Sequence, residues 1–146
     1  MNYFVGIDPG QSGGLAILTS TEIVNVIKFK DQTPADISDI FEYLLSYDTC
    51  AMFAFIEKVH AMPKQGVTST FKFGVSYGFL QGMLVAHKIP YDFVTPQKWQ
   101  KELGCMSKGD KNITKQKAQQ LYPKMKITHA IADAILIAEY CRRTKI

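Results

Sequence analysis

Three short apolar runs crowd into the first 29 residues, and this opening constrains the chain more than any other feature. Asn2–Asp8 reads as a strand through Tyr3, Phe4, Val5 and Ile7, running into Asp8-Pro9-Gly10. In DPGQSGG (8–14), Pro9 fixes φ, while Gly10, Gly13 and Gly14 permit positive φ, which predicts a turn. Residues 15–18 and 23–29 follow as two more strands, divided by the polar Thr19-Ser20-Thr21-Glu22. The expected product is a three-stranded antiparallel meander.

Downstream, the pattern alternates. Thr33 caps a helix with Pro34 at its first position, and Ile37, Ile40, Phe41, Leu44 and Leu45 recur at helical spacing. Residues 51–56 form an apolar run ending in Glu57, the mark of a buried strand entered by a helical crossover. A loop over 60–68 precedes a long helix over 69–88, and 89–95 reads as a last strand. Thr95-Pro96 caps a helix reaching Leu103. A loop over 104–110, a basic helix over 111–122, a break at Pro123 and a closing helix over 128–143 complete the order. That order predicts an α/β fold with a mixed five-stranded sheet, its first three strands antiparallel, flanked by helices. With 146 residues, 47% of them apolar, one domain spanning 1–146 is expected.

Gly74, Gly78 and Gly82 fall at i, i+4 and i+8 of the long helix. Each costs about 1 kcal/mol against alanine, so something is expected to approach that face, either the sheet or a second subunit. Phe71, Tyr77 and Phe79 stand beside it. Cys50, Cys105 and Cys141 are scattered without metal-ligand spacing and read as free thiols of a reducing compartment. No apolar run approaches the ~20 residues of a membrane span, and MNYFVGIDPG has no signal-peptide pattern, so a cytoplasmic location is expected.

Charge is unevenly divided. Residues 1–57 hold two lysines and eight acidic side chains, whereas residues 58–146 hold fifteen basic and five acidic ones. Six lysines lie within 108–126, accompanied only by Asp110 as an acidic residue. Such polarity suits a polyanion, although a lysine run by itself is also what a solvated helix face looks like.

Asp8 and Glu57 each end a strand, where ligand sites of α/β sheets gather. Either alone reads equally as a solvated strand-end carboxylate; together they would repel, and a cation resolves the repulsion. His129 and Asp133, four apart among small apolar residues, share one helix face. Three carboxylates and an imidazole suit Mg²⁺, with Mn²⁺ able to substitute, and two such ions ~4 Å apart serve phosphodiester hydrolysis. In that reading Asp8 bridges both ions, Glu57 completes one site, and Asp133 with His129 completes the other.

GIDPGQSGG (6–14), IEKVHAMPKQGVTSTFKFGVSYG (56–78), TPQKW (95–99) and HAIADAILIAEY (129–140) together resemble the RuvC-type Holliday-junction resolvases, especially small phage-encoded forms. The resemblance implies a ribonuclease H-like fold, a homodimer, and metal-dependent symmetric nicking of four-way DNA junctions that leaves 5′-phosphate and 3′-hydroxyl ends. It casts Asp8, Glu57 and Asp133 as the first, second and last acidic residues. The fourth acidic position of the family carries Ala130 here, and His129 is the nearest replacement. The loop after Glu57 would meet the junction with His60, Met62 and Lys64. Lys108, Lys111, Lys115 and Lys117 would contact DNA. A bacterial or phage-infected cell would be the setting. Two alternatives share these residues: a ribonuclease H-like or flap and fork nuclease, and a non-catalytic module that binds branched DNA. A nucleotide-binding ATPase, which can also open on such a glycine turn, needs two duplicated halves that this chain lacks, so no nucleotide cofactor is expected.

Overall fold

The computed structural model describes residues 1–47 and 50–146. Five strands, β1 (Asn2–Asp8), β2 (Gly14–Leu18), β3 (Ile23–Lys28), β4 (Ala51–Glu57) and β5 (Tyr91–Val94), form one sheet in the order β3-β2-β1-β4-β5. β1, β2 and β3 make the expected antiparallel meander, while β4 and β5 add in parallel to β1. The helices are α1 (Pro34–Leu45), α2 (Val67–Ala86), α3 (Pro96–Glu102), α4 (Lys111–Leu121) and α5 (His129–Lys145).

Strand alternation sends opposite faces of the sheet to two cores. Tyr3, Val5, Ile7, Leu15, Ile17, Met52, Ala54 and Ile56 pack under Ile37, Phe41 and Leu44 of α1 and Leu80 and Leu84 of α2. Phe4, Ala16, Leu18 and Phe55 face α5, whose outer side is covered by Trp99, Leu103 and Ala118. With apolar neighbours all round, α5 is buried from Ala134 to Cys141. Within that stretch, the Glu139 carboxylate is held by Tyr122, Arg142 and Arg143.

Local signals set the helix starts. The Thr33 hydroxyl accepts from Asp36 N–H at 3.2 Å while the Asp36 carboxylate accepts from Thr33 N–H at 2.8 Å, a complete capping box ahead of Pro34. Thr95 and Asp110 cap α3 and α4 one-sidedly, their side chains accepting from Lys98 N–H at 3.3 Å and Asn112 N–H at 3.0 Å. α2 begins at Val67, two residues before the expected start, because the Gly66 carbonyl already accepts from both Thr70 N–H and Thr70 hydroxyl. β3 stops at Lys28 because the backbone tightens into a 3₁₀ turn over Phe29–Asp31.

Two glycine expectations need correction. Gly10 does adopt a positive φ of 107°, but Gly13 and Gly14 do not. Their requirement is space: a Cβ on Gly13 would fall 2.0 Å from the Asp8 carbonyl oxygen, and one on Gly14 2.5 Å from that of Ile27. The sheet, in turn, does not approach Gly74, Gly78 or Gly82; a Cβ at any of them would meet nothing within 4 Å. Phe71 beside them is 72% exposed, whereas Tyr77 and Phe79 pack partly against the sheet. Cys105 and Cys141 are buried and Cys50 half-buried, all as free thiols. Among the described residues no helix is long and apolar enough to cross a membrane.

Candidate active site

Asp8 and Glu57 owe their meeting to register. β1 and β4 pair in parallel with Ile7 beside Ile56, so one step further Asp8 stands beside Glu57 at the carboxyl ends of adjacent strands. By alternation both side chains belong to the face that carries Phe4 and Phe55, the face covered by α5.

Asp133 comes down onto them from α5. The approach depends on Gly6, where a Cβ would lie 2.1 Å from Ala138 N and 2.2 Å from the Ala134 carbonyl oxygen. Backbone therefore touches backbone at the residue after Asp133. Gly14 performs the same service for the first turn of α5, its Cβ position being 3.2 Å from the Ala130 carbonyl oxygen.

The three carboxylates form one electrostatic cluster. Burial, then the charges of Glu57 and Asp133, push the Asp8 carboxyl well above its usual range, with Lys111 opposing. Burial also raises Glu57; the hydrogen bond from Trp99 draws it down and Asp133 raises it further. Asp133 is raised by burial and drawn down by the Thr114 hydroxyl, Lys111 and His129. The charge of Lys111, at the start of α4, thus acts on all three.

Neighbouring elements hold two of the carboxylates. The Trp99 indole Nε1–H donates to Glu57 Oε2 at 2.9 Å, and buried Thr114, whose hydroxyl also reaches the Lys111 carbonyl at 3.2 Å, stands against Asp133. In the sequence Trp99 stands out only as part of TPQKW and Thr114 only as a polar residue among the lysines of the basic helix. Neither residue carries a spacing signal, because both act across tertiary contacts.

The remaining predicted residues surround this centre less tightly. His129 opens α5 on the same face as Asp133 and is exposed. His60, Met62 (59% exposed) and Lys64 lie on the loop between β4 and α2, and Lys108 lies on the loop before α4. Lys64 and Lys108 both hold left-handed backbone, at φ 68° and 49°, uncommon for a residue with a side chain. Lys115 and Lys117 are half-buried on α4. Lys117 lines a groove of about 460 Å³ with Gly104, Cys105, Gln116 and Gln120.

The donor set fits a hard divalent cation: three oxygen-bearing, desolvated carboxylates that repel one another without one. Among the described residues, however, no three carboxylate, imidazole or thiolate groups close into a ready-made cage.

No protein-family model matches the chain, and no curated protein matches it in sequence. Solved structures do match in shape. Thermus thermophilus RuvC in complex with a Holliday junction substrate superposes with a TM-score of 0.65 at 15% identity, covering 99% of this chain and 97% of that one. A second Thermus thermophilus RuvC structure gives 0.62 at 15% identity, covering 93% and 90%. The chain has the RuvC fold. The α/β mixed sheet expected from the element order is therefore ribonuclease H-like in architecture.

Proposed function

We propose that this chain is a metal-dependent endonuclease that cuts branched DNA, four-way junctions foremost, by symmetric nicking to 5′-phosphate and 3′-hydroxyl ends. The observation that carries this reading is the half-buried, mutually repelling Asp8–Glu57–Asp133 cluster on a fold shared with a protein solved on a Holliday junction. Asp8, Glu57 and Asp133 would hold Mg²⁺, or Mn²⁺ in its place, with His129 as a fourth donor where the family's acidic residue is replaced by Ala130. Bound divalent cation supplies Lewis acidity and activation of water for phosphodiester hydrolysis.

The chain's own residues do the rest. Asp8, at the end of β1, bears the charges of both Glu57 and Asp133. The three carboxylates are half-buried, open enough for a phosphate to enter, and the low-dielectric protein on their inner side strengthens the charge interactions among them. Lys111, whose charge acts on all three carboxylates, is placed to anchor an entering phosphate. Lys108, Lys115 and Lys117 extend that basic border along α4 and would track the backbone, reading shape rather than sequence. His60, Met62 and Lys64 would meet the junction centre.

We further infer that the working unit is a homodimer, because a four-way junction offers two related strands to two related sites. The α2 face formed by Phe71, Gly74 and Gly78, with Val67, Val75 and Val85 exposed along the helix, suits a second copy.

An end-labelled four-way junction incubated with Mg²⁺, wild type beside Asp8→Asn, tests the reading. Paired symmetric nicks by wild type, with binding but no cutting by Asp8→Asn, are expected. Cleavage confined to flaps, forks or RNA–DNA hybrids would move the assignment to a related nuclease. Tight binding with no cleavage by either protein would leave a DNA-binding module with a structural acidic cluster.

A further inference from the structure

Trp99 is the one tryptophan of the chain and is 0% exposed. Its place follows from the strand that precedes it. β5 pairs with β4 so that Val94 stands beside Glu57, and the Val94 carbonyl accepts from Lys58 N–H at 2.8 Å. Thr95 and Pro96 then start α3 at once, and its fourth residue turns the indole back over the end of β4. There Nε1–H donates to Glu57 Oε2 at 2.9 Å.

Indole nitrogen is a donor only, and a buried donor is costly to leave without a partner, so this bond holds both side chains in place. A carboxylate offers two oxygens. With one lone pair of Oε2 taken by the indole, Oε1 keeps both of its lone pairs and is the better-placed oxygen for a cation. The donor is also neutral. An arginine or lysine in its place would orient Glu57 equally well but would repel a divalent cation by its own charge.

We propose that Trp99 is a positioning residue for metal binding: its indole N–H fixes Glu57 so that one carboxylate oxygen faces the cation. This rests on the metal-nuclease reading above. Partners of this kind typically govern metal affinity by about 10-fold or more.

Calorimetric titration of Mn²⁺ into the metal-free protein, without DNA, reads the effect directly. Trp99→Phe keeps a buried ring and removes the donor; it is expected to bind Mn²⁺ about 10-fold more weakly, while metal-free binding to a four-way junction stays at the wild-type level. The wild-type protein supplies a second readout that does not depend on the variant folding. Its single indole N–H gives a single nitrogen–proton resonance, which is expected to shift on addition of Mg²⁺ and to stay put in Glu57→Gln, whose amide oxygen can still accept the bond. Equal Mn²⁺ affinity in wild type and Trp99→Phe, or an indole resonance indifferent to Mg²⁺ that nonetheless binds, overturns the positioning role alone. A wild-type protein that takes up no Mn²⁺ overturns the metal-nuclease reading and this role with it.

Discussion

Asp8 concentrates the cost and the use of the site in one residue. Its carboxyl is raised by burial first and then by Glu57 and Asp133, so the native metal-free chain holds protons that the unfolded chain has already released. Stability of the metal-free protein therefore falls as pH rises from the unfolded carboxylate range, near 4, through the raised native value. Asp8→Asn keeps the shape and removes the charge. Near neutral pH it is expected to raise the thermal midpoint of the metal-free protein, by roughly 3 °C for each kcal/mol relieved, and to flatten its pH dependence. If Mg²⁺ binds as proposed, it is expected to reverse the ranking, because a cation that binds only the native state stabilises it by about 2.7 kcal/mol at a hundred times its dissociation constant. Cleavage by Asp8→Asn is expected to fall about 10³-fold or more. Calorimetric melts at pH 5 and 7.5, with and without Mg²⁺, check the reversal; a variant less stable than wild type without metal would make Asp8 a structural group. Asp8 and Glu57 were legible in sequence because strand ends announce themselves. The bond from Trp99 was not, since an indole reaching across two elements leaves no spacing in the chain.

The same contrast governs whole elements. β1, β4 and the capped starts of α1 and α3 can be read from local patterns, because strands, capping residues and Pro at a first helical turn act within a few residues. Glycines are harder to read: one that needs positive φ, one that makes room and one that faces nothing look alike. Gly10, Gly6 and Gly78 are those three cases. Substitution separates the last two. Gly6→Ala would drive a methyl into the backbone of α5 and lift Asp133 away from Asp8, a loss of about 3 kcal/mol or more, seen as a sharply lowered urea midpoint. Gly74→Ala with Gly78→Ala meets no atom of its own chain and should strengthen α2 by about 0.8–1 kcal/mol per site. If that face seats a second copy, the double variant is expected to weaken the dimer even as the individual chain becomes more stable. Light scattering at micromolar concentration decides it. Wild type should weigh twice the 16.4 kDa chain and the double variant should shift toward a single chain. A monomeric wild type, or a double variant that dimerises as well as wild type, removes α2 as the contact.

Across the molecule, charge is arranged by chain half: residues 1–57 carry a strong acidic excess and residues 58–146 a basic one. The fold sets the two against each other. Asp8 and Glu57 come from the acidic half, while α4, which brings Lys111 to them, comes from the basic half. A duplex arm lying along α4 would thus deliver a phosphate toward the carboxylates while its neighbours sit on lysines. Binding of this kind is driven by release of condensed counterions, so the logarithm of the affinity should fall linearly with the logarithm of salt, by about 0.9 per phosphate neutralised. Lys115→Gln together with Lys117→Gln is expected to lower that slope by about 2 and to weaken binding by the same factor on junctions of different sequence. Lys30→Gln, an equal loss of charge per residue on the acidic half, should leave the slope unchanged. Fluorescence anisotropy of a labelled junction between 50 and 300 mM salt, in the absence of Mg²⁺, measures all three proteins. If Lys30→Gln lowers the slope as much per charge as the α4 pair does, attraction is a property of net charge, and α4 is only a solvated face. If only the α4 pair lowers it, the basic helix is where the DNA lies, and the carboxylates stand at the end of its path.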